Sequence, residues 1–364
     1  MNCFKECLLG FVVILLGACE TTTTGESTGT LSAALSMDDI ITDSYELKTL
    51  LKPDDLPPGN MGTFAENGVL ADGNRFFFIQ DTSIYELTSQ PDGTVQYETA
   101  LKTKNCTFSG LTSHDSLLYA ACTIFSKGTT KLYRVDLSLD ESHPQRVAST
   151  RLYKSGFAPN GMAVDDRGDI FMSNSMGTEL GMILAPANRL PVIIRVRVVD
   201  EENFTIKKKG VVPAGGVIGI EPNGLQIRED RLWLACENNL YEAEIVKKGL
   251  KGFHRIYQAK SSRFFDDFTV LPENIIALTE IPHPFRIGNM IGYPPENKPS
   301  KLLFVSTGPG PYSNKAGEVV EEYVFDPSIV PSSVALMEDE EGPAFYITDV
   351  LVGGIHLIRP VMGE

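Results

Sequence analysis

The sequence predicts an all-β chain built as a six-bladed β-propeller, and three observations carry that expectation. First, a short apolar run opening on a polar or small residue recurs at Glu66, Ser109, Asn160, Asn223, Asp266 and, more weakly, near Ser333. Second, about ten residues after each opening comes another apolar run, at Phe76-Phe77-Phe78, Leu118-Tyr119-Ala120, Ile170-Phe171-Met172, Leu232-Trp233-Leu234, Ile275-Ile276-Ala277 and Phe345-Tyr346-Ile347. A turn rich in Asp, Gly, Asn or Glu separates the two runs each time. Third, 32 Gly and 22 Pro among 364 residues imply many turns and short strands. Units of about 40 to 70 residues with roughly four strands each are propeller blades, and six make one ring.

The N-terminal elements precede the blades. The apolar stretch LLGFVVILLGA after Lys5 is short for a membrane span and has the length of a signal-peptide core. It ends in Leu16-Gly17-Ala18-Cys19, which resembles the bacterial lipobox. That resemblance implies cleavage before Cys19, a lipid on its side chain, and attachment to the cell envelope facing the periplasm; an ordinary secretory signal is the alternative. Glu20 stands where an Asp would signal inner-membrane retention, which favours the outer membrane. The expected division is therefore a signal peptide over 1–18, a tether over 19–38 and one propeller domain over 39–364. The tether is rich in Thr, Ser, Gly and Ala, a composition that cannot bury enough surface to fold. A chance G-x-S-x-G at Gly25–Gly29 lies within it, away from the strand-to-helix elbow that this motif requires.

Within the propeller, Ile40 to Leu51 supplies a strand that closes the ring against the last blade. Alternating stretches such as Lys131–Val135 and Ile193–Val198 supply outer strands. Cys106 and Cys122 flank a turn at Ser113–Ser116, so a hairpin brings them to facing strands. In an oxidising compartment they form a disulfide, or they remain two buried thiols. Cys236 belongs to the core. A formal charge of −15 excludes nucleic acid as a partner, because neutralising phosphates takes clustered Lys and Arg.

Pro-Asn-Gly occurs twice in the same frame, at Pro159-Asn160-Gly161 and Pro222-Asn223-Gly224. Alone it reads as a turn, since Pro presets φ and Gly accepts positive φ. In a propeller, residues at one offset of every repeat meet at one mouth of the central channel. The openings then form a ring of Glu66, Ser109, Asn160, Asn223, Asp266 and a Ser at 332 or 333. Carboxylates and amide oxygens converging on one axis need a cation, and hard oxygen donors without His or Cys select calcium. Turn chemistry alone accounts for Asn-Gly or Asp at a strand start, but not for Glu66 in the same frame.

At these residues the sequence resembles the calcium-dependent propellers of the senescence-marker-protein, gluconolactonase and paraoxonase families, over about residues 60 to 360. The resemblance implies that Glu66, Asn160, Asn223 and Asp266 hold a catalytic calcium, with Asp267 at the place of a further oxygen ligand. Two departures stand out. Ser109 occupies the place of a His in a base dyad, and Asn67 and Gly161 replace the acids of a second calcium, so one ion is expected. The chemistry implied is hydrolysis of a lactone or ester, with Asp266 or Asp267 as the base that activates water and Glu66 beside them. Ser109 and His283 are candidates for the pocket, although His283 sits in a Pro-flanked loop. Insertions at Gly177–Pro191 and Pro284–Pro299 carry Met182 and Phe285 among other apolar side chains, which suits an acyl or aryl substituent. Two other readings compete. One is a non-catalytic binding or scaffold propeller with a structural calcium, and the other is a metal-free relative of the strictosidine-synthase type.

Overall fold

The computed structural model describes residues 36–361, apart from 43, 57–64, 73–74, 90–93, 141, 143–145, 154–158, 174–191, 201, 214–221, 248, 283–284, 288–289, 293–297, 340 and 351–352. The lipobox with Cys19 and the tether up to residue 35 lie outside this range, as do Met182 and His283. Six four-stranded antiparallel sheets form a β-propeller. The innermost strands are Glu66–Ala71, Thr107–His114, Met162–Val164, Pro222–Arg228, Arg263–Val270 and Pro331–Asp339, in blades 1 to 6. Each pairs with the strand that follows it, as the doubled apolar runs require.

The second strands are the most deeply buried because both of their faces meet neighbouring blades. In Ile275–Pro282 every residue is buried, and the run Phe76-Phe77-Phe78 is at most 1% exposed. Aromatic side chains fill the seams; the ring of Phe76 in blade 1 meets Tyr346 of blade 6 at 5.0 Å between centroids. Outer strands alternate between water and core, as in Val95–Lys102.

The ring is closed as expected from the sequence. Tyr45–Leu51 pairs antiparallel with Ile355–Pro360 and becomes the fourth strand of blade 6. A short 3-10 turn, Met37–Asp39, precedes it, and Met37 and Ile40 are fully buried between blades 5 and 6. Tyr45 donates its hydroxyl to the carbonyl of Ile40 at 3.0 Å, which fixes the approach to that strand. Cys106 and Cys122 are joined in a disulfide within blade 2, with Cα atoms 5.5 Å apart. Cys236 is buried in the core between blades 3 and 4. The insertion after Pro284 contains a small hairpin, Phe285–Ile287 against Met290–Gly292, between the second and third strands of blade 5.

Candidate functional site at the channel mouth

The openings of the inner strands are irregular, and the irregularity shapes the site. Pairing between inner and second strands slips between Glu66 and Val69, Phe108 and Gly110, Pro222 and Leu225, Phe265 and Phe268, and Pro331 and Ser333. Such bulges release the residues concerned from the regular pleat and re-aim them. Side chains at these positions are therefore not bound to strict alternation: Asn223 and Asp266 reach the axial cavity, whereas Ser109 bonds across to Pro159.

Hydroxyl side chains at the ends of the second strands fill the gaps. Ser173 accepts from the amide of Gly161 at 2.9 Å and donates to the carbonyl of Asn223 in the next blade at 2.6 Å. Thr279 accepts from the amide of Asp267 at 3.0 Å and donates back to its carbonyl at 2.8 Å. In blade 6 Thr348 contacts the hydroxyls of Ser332 and Ser333, and Ser333 accepts from the amide of Gly68 in blade 1 at 2.7 Å.

The glycines of the repeated Asn-Gly have a different reason from the one the turn reading supplies. Neither Gly161 nor Gly224 has a positive φ. A Cβ on Gly161 would collide with the carbonyl oxygen of Asn223 and lie 2.7 Å from the amide nitrogen of Leu225. A Cβ on Gly224 would lie 2.6 Å from Oδ1 of Asp267 and 2.8 Å from the carbonyl oxygen of Asp266. These glycines let the backbone of one blade touch the axial residue of the next.

The result is a polar cavity of about 20 Å³ lined by Asn67, Asn160, Asn223, Gly224, Asp266, Asp267 and Ser332. That is room for about one water molecule or ion. Its amides are linked in one direction: Asn67 donates Nδ2 to Oδ1 of Asn160 at 3.1 Å, Asn160 donates to Oδ1 of Asn223, and Asn223 donates to Oδ1 of Asp266. Asn67 also donates to the carbonyl of Ser109 at 3.2 Å.

Asp267 is half-buried and faces the cavity. Burial pushes its carboxyl up to about 7, against the opposing pull of the Phe268 amide. No Lys, Arg or His lines the cavity among the described residues. Nor do the described residues contain a cluster of three or more His, Cys, Asp and Glu side chains placed to hold a metal. The donor set is instead mixed, with amide oxygens beside two carboxylates.

Of the residues singled out in the sequence, Asn160, Asn223, Asp266 and Asp267 therefore lie together. Glu66 opens the inner strand of blade 1 beside them, paired with Ile79, but its side chain lies outside the described atoms. The side chain of Phe285 does too. Ser109 departs from expectation. Its hydroxyl turns away from the axis and donates to the carbonyl of Pro159 at 2.6 Å, and it does not line the cavity. Sequence reasoning missed Asn67 as a lining residue and the bracing hydroxyls of Ser173, Thr279 and Thr348. The latter carried a signal: each falls at the end of the second apolar run of its blade.

Among solved structures, the chain is similar to one titled as the mitotic checkpoint complex, at TM-score 0.53 and 11% identity, over 96% of this chain and 100% of that one. It is also similar to virginiamycin B lyase from Staphylococcus aureus, at TM-score 0.51 and 14% identity, over 87% of this chain and 100% of that one. At such identities the likeness speaks for the propeller architecture alone. No protein-family model matches the sequence. No curated protein matches it either.

Proposed function

We propose that the protein is a calcium-dependent hydrolase of lactones or esters whose site is the axial mouth. The observation that carries this reading is the convergence of Asn160, Asn223 and Asp266, from three successive blades, within direct hydrogen-bonding reach of one another. The residues fit an ion. Their oxygens are hard donors, the cavity has the size of one ion, and Asp267 is a carboxyl with burial against it and no cation lining the cavity beside it. The ligands would be Glu66, Asn160, Asn223 and Asp266. Bound there, calcium supplies Lewis acidity toward a carbonyl oxygen.

The chain's own residues supply the rest. Asp267, whose carboxyl burial raises, would take a proton from an attacking water at Oδ1 in the role of general base. Before an ion binds, the Asn223 amide, itself bonded by Asn160, orients Asp266, and Gly224 lets the Asp266–Asp267 backbone approach. The apolar insertions with Met182 and Phe285 would receive an acyl or aryl group. The lipobox-like segment would anchor the protein through Cys19 to the envelope, facing the periplasm, with the outer membrane favoured.

One observation favours a second reading. Ser109 bonds to the carbonyl of Pro159, and among the described residues blade 2 lends no base to the cavity, as a binding or scaffold propeller with a structural calcium would allow. A panel of lactones and aryl esters, assayed with calcium, with chelator and with Asp266→Ala, separates the two. Turnover that chelator and Asp266→Ala both abolish supports the hydrolase. A calcium-dependent rise in melting temperature without turnover replaces it with the binding reading.

A further inference from the structure

We infer that Asn67 is an ion ligand of this site, taking the sector that blade 2 leaves empty, and that it sets the site's affinity for a divalent cation. The inference rests on the calcium reading above and goes beyond the ligand set proposed there. Three observations carry it.

Asn67 is the residue after the repeat's opening, so an undisturbed strand would turn it away from Glu66. It sits instead at φ 47°, in the left-handed region, and inside the slip between Glu66 and Val69. Asn is among the few side-chain-bearing residues that adopt this conformation readily. Its side chain lines the cavity.

Blade 2 should contribute the side chain between those of blades 1 and 3. Ser109 instead bonds to Pro159, and only its carbonyl faces this sector. Asn67 bonds to that carbonyl and spans to Asn160 at 3.1 Å, so one blade-1 amide covers the sectors of blades 1 and 2.

Finally, the hydrogen bonds between the amides form a series that begins at Asn67 and ends on Asp266. Oδ1 of Asn160, of Asn223 and of Asp266 each accepts from the preceding amide's Nδ2. A cation at the centre must attract those same oxygens, so binding has to break the series and rotate the amides. Asn67 heads the series: its Nδ2 restrains Asn160, and its rotated amide presents Oδ1 toward the sector where, among the described residues, blade 2 lends no side chain to the cavity. Replacing it acts on both terms. An acid at 67 removes the restraining donor and adds a charge, whereas removing the side chain deletes a ligand. Calcium affinity follows ligand charge and number, which gives effects of about tenfold in each direction.

The test is calcium titration of the full chain by calorimetry, with terbium luminescence as a second readout, on wild type, Asn67→Asp, Asn67→Gly and Ser109→Ala. Glycine tolerates the backbone conformation at 67, and thermal unfolding confirms that each variant is folded. The expected result is one ion bound to wild type, about tenfold tighter binding to Asn67→Asp, about tenfold weaker binding to Asn67→Gly, and no change for Ser109→Ala. If wild type binds one ion and both Asn67 variants stay within about twofold of it, Asn67 is no ligand while the calcium reading stands. If wild type binds neither calcium nor terbium, both fall.

Discussion

Replacing Gly161 by alanine tests the account of the repeated Asn-Gly most directly. The added methyl would collide with the carbonyl oxygen of Asn223 and stand 2.7 Å from the amide nitrogen of Leu225. Both are backbone atoms, so no rotamer change relieves the contact and blades 3 and 4 must separate. Overpacking costs about 1–3 kcal/mol where side chains can adjust. With backbone on the far side the upper end applies, about 3 kcal/mol. In a domain of this size that lowers the melting temperature by roughly 6 °C. The displacement also draws Asn223 away from Asn160, so calcium affinity should fall with stability. The control is Gly308→Ala, where nothing lies within 4 Å of the added carbon and φ is not positive. Urea unfolding and calcium calorimetry on the two variants give the comparison. If Gly161→Ala unfolds at the wild-type midpoint, the glycine is a turn residue after all and the close approach between blades is not what selects it.

Three further predictions follow from other parts of the molecule. Reducing Cys106–Cys122, or replacing both by serine, should cost about 3 kcal/mol, given a sequence separation of 16 residues, and be visible as a lower melting temperature in reductant; an unchanged value refutes a stabilising crosslink. Asp169 is fully buried against Arg195 and Arg197, so Asp169→Ala leaves buried Arg195 with Asp165 at 3.5 Å and should cost about 3 kcal/mol in urea unfolding, a loss under about 1 kcal/mol counting against it. In chelator, the Asp267 carboxyl is raised from 3.8 to about 7 by burial, so between those values the folded protein holds a proton that the unfolded chain releases. Stability relative to Asp267→Asn should then fall as pH rises from about 4 to about 7 and level off above, and a pH-independent difference would count against the buried carboxyl.

Much of the fold was legible because a propeller repeats its own evidence. Six doubled apolar runs, each with a polar turn, specify paired strands six times, and Ile40–Leu51 had no other partner than the last blade. The site was legible only where side chains follow the repeat frame. Asn160, Asn223 and Asp266 do so. Ser109 stands in the frame yet bonds across to the carbonyl of Pro159 in place of lining the cavity. Asn67 stands outside the frame yet turns in, through a left-handed backbone that sequence alone does not announce. The purpose of Gly161 and Gly224 was hidden for a related reason. Their constraint comes from a blade about 40 or more residues further on, whereas turn rules read only adjacent residues.

The strand that seals the ring has a consequence for how the molecule is made. Tyr45–Leu51 leaves the ribosome about 300 residues ahead of its partner Ile355–Pro360. Roughly 300 residues must be synthesised before the two can meet, and contacts so distant along the chain form late. Until then the edges of blades 1 and 6 are open to other chains, a hazard typical of incompletely assembled sheets. The seam that finally shuts includes Ser332, Ser333 and Gly68, next to the axial cavity. Emergence of Ile355–Pro360 therefore governs the assembly of the channel mouth as well as the integrity of the circle.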